Sequence, residues 1–172
     1  MNWTYKDKEI LSHKDLPEEC TDFVYELTFK SGKKYIGKKT IRSKSILPMN
    51  KTKVRPNSTI ITRHVLRDEE GNIITSKSKR KAARNRGLKA KAEKYEVVIT
   101  NKPFINYEGS SSENKDEILV SKKILYLSST KKTATYIEMV LLVEAGVPFS
   151  DDYTNKNISG TFFDNSLDGL IE

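Results

Sequence analysis

The sequence predicts an α+β fold: a small antiparallel sheet of about three core strands flanked by helices. Three observations lead there. In "DFVYELTFK", residues 22–30, Phe23, Tyr25, Leu27 and Phe29 alternate with Val24, Glu26 and Thr28, the two-residue period of a half-buried strand. "KSGK" then supplies a turn, and Lys34 to Lys39 return as a second strand. Downstream, "STKKTATYIEMVLLVEAGVPF" sets Ser and Thr caps before an apolar-rich run and Gly146 and Pro148 after it, which places a helix at about 133–145.

The remaining elements follow in order. Residues 1–20 read as a polar N-terminal extension in which Trp3 and Tyr5 dock on the core. Periodicity is weak over 43–75, although "VLRDEEGNIIT" suggests a hairpin around Glu70, Gly71 and Asn72. Residues 76–94, "SKSKRKAARNRGLKAKAEK", are helix formers broken by Gly87. "YEVVIT" and "EILVSKKILYL" read as strands separated by a polar loop, and the tail from Asp151 is loop-like. The expected organisation is a single domain over 21–172 carrying a basic insertion at about 43–104.

Charge separates the chain into parts. Residues 38–104 hold 19 of its 31 Lys and Arg but only 5 of its 23 Asp and Glu, a balance of +14, whereas the remainder balances to −6. One contiguous segment thus makes the whole protein basic, which points to a polyanionic partner, with nucleic acid as first candidate. The longest apolar runs, such as "MVLLV" at 139–143, are too short to cross a bilayer, so no membrane partner is expected. The lone Cys20 excludes an internal disulfide framework and a Cys-rich zinc site, and fits a reducing cytoplasm.

The hairpin carries the chemistry. A two-residue Ser31-Gly32 turn would put Tyr25 and Tyr35 on opposite faces. A three-residue Ser31-Gly32-Lys33 loop would set Tyr25 opposite Lys39 and gather Tyr25, Tyr35 and Lys39 around the gap at Gly37. A phenol beside an ammonium group has a depressed pKa and can serve as a general base. On the helix, the neighbours of Glu138 one turn away are Ala134, Thr135, Leu141 and Leu142, none of them basic. Its carboxylate therefore reaches solvent or needs a cation. His64 reads as a surface histidine in a basic loop.

"FVY" at 23–25 and "YIG" at 35–37, joined through "SGKK", resemble the signature of the GIY-YIG nuclease family, with Phe23 and Val24 in place of the usual Gly and Ile. "LVSKKILYLSSTKKTATYIE" resembles the family's third strand and glutamate-bearing helix, "DDYTNKNIS" its closing segment, and "YEGSS" at 107–111 a segment of phage-type members.

The resemblance implies a metal-dependent DNA endonuclease of phage or homing type, acting in a bacterial or phage-infected cell on DNA, with the double-stranded form expected. Tyr25, Tyr35 and Lys39 would handle the nucleophile, and Arg42 would meet the scissile phosphate, with Arg55, Arg63 and Lys122 as rivals. Glu138 would hold Mg²⁺ or Mn²⁺, and Asn155, with Asn157 competing, would orient a side chain or a phosphate oxygen. Lys38, Arg63, Lys79, Arg80, Lys81, Arg84 and Arg86 would bind the nucleic acid. A noncatalytic nucleic-acid-binding protein on the same scaffold is the alternative.

Overall fold

The computed structural model describes residues 1–49, 55, 58–109, 111, 114 and 116–160, and the backbone of 162–163. Among these the chain forms two compact units, Met1–Ser43 with Asn101–Glu172, and Lys44–Thr100.

The first unit is built on a five-stranded sheet, larger than the three strands expected. Its strands are β1 (Trp3–Tyr5), β2 (Lys8–Ile10), β3 (Asp22–Phe29), β4 (Lys34–Thr40) and, later in the chain, β8 (Leu119–Ser128). They lie in the order β2-β1-β8-β3-β4, with β1 parallel to β8 and the other neighbours antiparallel. The two extra strands come from residues 1–20, which join the sheet instead of forming a peripheral extension. Trp3 anchors them: it is fully buried against Phe23 and Tyr25, and its indole N–H donates to Phe104 O at 2.9 Å. A polar composition concealed this because only four of the first twenty residues, Trp3, Ile10, Leu16 and Cys20, are buried in the core.

The alternation in β3 distributes its side chains between two cores. Phe23, Tyr25, Leu27 and Phe29 join Trp3, Ile41, Phe104 and Ile124 on one face. Val24 joins Ile36, Ala134, Leu142, Val147 and Ile158 on the other, beneath helix α2 (Lys131–Glu144). Val24 is thus buried beneath α2, whereas Glu26 and Thr28 on the same face remain partly exposed. Helix α2 begins at Thr130, whose hydroxyl accepts from Thr133 N at 3.1 Å, and terminates before Gly146, which takes φ +70°. A short pair, β9 (Asn157–Ile158) and β10 (Phe162–Phe163), follows. Residues 161 and 164–172 of the tail lie outside the described residues.

The second unit contains a three-stranded sheet in the order β5-β7-β6, from β5 (Arg42–Pro48), β6 (Ser58–Val65) and β7 (Lys91–Asn101). The span 43–75 that lacked clear periodicity supplies two of these strands. They are exposed on most positions, so no two-residue hydrophobic pattern marks them. Helix α1 (Lys77–Asn85) is shorter than the 76–94 segment: Gly87 adopts φ +83° and the chain re-enters as β7 at Lys91. The turn expected near Gly71 forms, with Asp68 N donating to Asn72 O at 3.0 Å, flanked by a single Arg67–Ile73 bridge.

Candidate active site

The β3–β4 hairpin closes through a three-residue loop one position earlier than expected. Phe29 N donates to Lys33 O and Gly32 N to Phe29 O, which leaves Lys30, Ser31 and Gly32 in the loop with Gly32 at φ +89°. Tyr25 therefore faces Gly37, Leu27 faces Tyr35 and Phe23 faces Lys39. Because the register moves by two, Tyr25, Tyr35, Gly37 and Lys39 still share one face.

Their chemistry differs from the expectation in two ways. First, the gap at Gly37 is filled by the protein. A Cβ there would lie 2.6 Å from the Tyr25 hydroxyl and 2.8 Å from the Tyr35 ring, so glycine is required for the phenols to pack across β4. Second, Tyr25 is 1% exposed and its pKa is pushed far upward, chiefly by burial, then by the neighbouring Tyr35 and by its hydrogen bond to Tyr107. The phenolate proposed for a general base is therefore disfavoured, and Tyr25 holds its proton as a donor. Neither lysine opposes this effect: the ammonium group of Lys39 lies 3.6 Å above the Tyr107 ring, and Lys38 is bound elsewhere.

Tyr107 is a member of this cluster that the hairpin motif did not contain. Its hydroxyl accepts from Tyr25 at 3.4 Å, and its ring meets Tyr25 edge-on at 5.9 Å. Lys122, almost fully buried, holds the segment in place by donating to Ile105 O at 3.0 Å and Tyr107 O at 3.3 Å. Burial lowers its ammonium pKa while Glu108 raises it. The sequence signal was the "YEGSS" segment beginning at Tyr107.

The opposite parity of β4 carries Ile36 and Lys38 toward α2. There Lys38 forms an ion pair with Glu138, both side chains partly buried. Reading the helix alone left Glu138 without a basic neighbour; the partner arrives from the adjacent strand instead. Asn155 braces the strand's outer edge. Its Oδ1 accepts from Ile36 N at 2.9 Å and its Nδ2 donates to Ile36 O at 2.8 Å, so one amide side chain copies a strand's pairing. Around it, Lys34 N donates to Asp152 O and Thr154 N to Lys34 O, each at 2.8 Å. The segment 152–155 thereby covers what would be an open sheet edge. Asn157 instead accepts from Gly160 N within its own turn.

These side chains converge. Tyr35, Lys38, Ser111, Glu138, Asn155 and Lys156 line one polar cleft of about 550 Å³ at the β4 edge. Arg42 does not join them. It is buried, and its terminal nitrogens donate to the carbonyls of His13, Pro17, Glu18 and Cys20. Such saturation makes it the pin of the 13–20 loop, so the expected phosphate contact is corrected to a structural role. The rivals are also engaged: Arg55 with Glu96 at 3.1 Å and Arg63 above the Tyr95 ring at 5.7 Å, both in the second unit. Lys79, Arg80, Lys81, Arg84 and Arg86 lie on or just after α1 of that unit and are exposed, as is His64.

Among the described residues no group of three His, Cys, Asp or Glu gathers in a metal cage. The cleft's donor set is one carboxylate, Glu138, beside hydroxyl and amide oxygens. That set suits a hard cation which retains most of its own waters.

Fold and cleft together define a GIY-YIG-type scaffold, a tyrosine hairpin at a sheet edge backed by a glutamate-bearing helix. The family model described as "Putative endonuclease segE, GIY-YIG domain" matches residues 3–158, and the chain belongs to that family. Neither a curated protein nor a solved structure matches the chain significantly.

Proposed function

We propose that the protein is a metal-dependent DNA endonuclease that hydrolyses phosphodiester bonds at the β4-edge cleft. The observation that carries the reading is the meeting of Tyr35, Lys38, Glu138 and Asn155 in one cleft of a chain belonging to a nuclease-associated family. Glu138 would hold a divalent cation, Mg²⁺ or Mn²⁺, through its carboxylate oxygens. When bound, that cation supplies positive charge beside the scissile phosphate.

The chain's own residues would do the rest. Lys38, paired with Glu138 in the protein alone, would offer its ammonium group to a phosphate oxygen of the substrate. Tyr35 lines the cleft and would orient the attacking water, while Tyr25, kept protonated by burial, holds the Tyr35 and Tyr107 rings in register. Asn155 fixes the strand that carries Tyr35 and Lys38. Lys39, above the Tyr107 ring, adds charge on the approach. The cations of the second unit would supply affinity for duplex DNA through phosphate contacts. The product expected from the family resemblance carries a 5′-phosphate and a 3′-hydroxyl.

One observation favours a second reading, a noncatalytic nucleic-acid-binding protein: Arg42 is consumed by main-chain carbonyls, and no arginine is among the described residues lining the cleft. Supercoiled plasmid incubated with the protein in Mg²⁺, Mn²⁺ or EDTA separates the two. Nicking or linearisation in either metal and none in EDTA supports the nuclease; intact plasmid under all three conditions leaves the binding protein.

A further inference from the structure

Helix α1 is poorly supported by the chain that contains it. Its first turn has no acidic residue, and Ser76 makes no capping bond to the backbone, its hydroxyl pairing with Ser78 at 2.9 Å instead. Lys77 stacks on Arg80 and Lys81, and Arg84 on Arg80 and Lys81, all at repulsive spacings of three or four residues. Among the described residues none of these cations, nor Lys79 or Arg86, enters an ion pair. Ala83 is the helix's one buried residue.

That anchor sets the orientation. At about 100° per residue, Lys81 and Asn85 point almost directly away from Ala83, Lys77 and Ser78 lie within about 60° of that direction and Arg84 within about 80°. Arg80 and Arg86 fall on opposite flanks, and Lys79 lies on the Ala83 side. The described residues that border an open space of about 760 Å³ on this side all lie within 76–85.

We infer that α1 enters the major groove of duplex DNA, with Lys81, Arg84 and Asn85 facing base edges and Arg80 and Arg86 facing the phosphate walls. A B-form major groove admits one α-helix, and Arg, Lys and Asn are the side chains that pair with guanine and adenine edges there. Polyanion charge would remove the repulsion that the helix bears alone. Duplex RNA does not fit, because its major groove is too narrow for side chains to read. Single strands are bound on aromatic platforms, and residues 76–94 contain no aromatic residue. The assignment rests on the proposed action on DNA and adds the groove and the reading residues.

The test measures binding in EDTA to a mixed-sequence DNA duplex, before and after methylation of guanine N7 in the major groove. The wild-type chain should lose roughly tenfold or more in affinity on methylation and be indifferent to the minor-groove ligand netropsin. The triple variant Lys81→Ala/Arg84→Ala/Asn85→Ala should bind methylated and unmethylated duplex alike. Amide exchange over α1 should slow when duplex is added to the wild type. Equal methylation sensitivity in wild type and variant, competition by netropsin, or equal affinity for an RNA duplex overturns the assignment. Methylation-sensitive binding with no cleavage in Mg²⁺ or Mn²⁺ would end the nuclease reading while this inference stands; cleavage with methylation-insensitive binding would do the reverse.

Discussion

At Gly37 the absence of one carbon atom decides how two rings pack. A methyl group there would fall well inside contact distance of the Tyr25 hydroxyl and the Tyr35 ring, and Tyr25 is enclosed on all sides. Gly37→Ala should destabilise the protein by about 1–3 kcal/mol, the usual cost of overpacking, measurable by urea denaturation. Tyr25 itself makes a pH prediction. Its folded-state pKa lies above the ordinary 10.0, so the folded protein retains a proton that the unfolded chain releases. Its contribution is complete below about pH 10 and declines as pH rises beyond that value. Alkaline titration of stability should show this loss in the wild type and less of it in Tyr25→Phe; identical profiles would remove the buried phenol from the account. The shared face of Tyr25 and Tyr35 was one of two arrangements the sequence allowed, and the three-residue loop decides between them. The sign of the pKa shift was not, because it depends on the burial contributed by Trp3 and Tyr107, far away in the chain.

Elements explain why Arg42 was misread. An arginine five residues after the glycine of "YIG" invites a catalytic reading, and nothing local reveals that five carbonyls of residues 13–20 surround it. Arg42→Ala should therefore cost stability, on the order of 3 kcal/mol for buried charge-assisted bonds left unmade, while cleavage per folded molecule remains. A large fall in turnover without loss of stability would return Arg42 to catalysis. Lys38 makes the complementary case. It neutralises Glu138 across the β4–α2 contact, so Lys38→Met should tighten Mn²⁺ binding while slowing cleavage, with titration calorimetry reading the first effect and single-turnover assays the second. Helix α2 was readable from its Thr cap, its apolar run and the stop at Gly146, and the β3–β4 hairpin from the alternation of β3. Strands β5 and β6 were obscured because most of their residues remain exposed.

Across the whole molecule, charge and chemistry are divided between segments. The cleft belongs to Met1–Ser43 with Asn101–Glu172, and the densest cationic stretch to Lys44–Thr100. Lys102 N donates to Ile41 O at 2.7 Å, which brings the two chain ends of the inserted unit side by side. Replacement of residues 44–100 by a short Gly-Ser linker should leave the five-stranded sheet folded, by circular dichroism, and remove most of the salt-dependent affinity for duplex DNA. The log–log salt slope should shrink by about 0.9 for each phosphate contact removed. The charge asymmetry of this segment was visible in composition alone; its three-stranded sheet was not.

The central claim is that Glu138, at the β4-edge cleft, serves phosphodiester cleavage. Glu138→Gln preserves size and hydrogen-bonding capacity but removes the charge that a divalent cation requires. The decisive measurement is single-turnover cleavage of supercoiled plasmid in Mg²⁺, alongside DNA affinity in EDTA, for wild type and variant. Cleavage should fall by at least about a hundredfold, the scale of losing one electrostatic contributor to the transition state, with affinity within about twofold of wild type. Wild-type cleavage by Glu138→Gln would contradict the account, as would parallel loss of binding and cleavage.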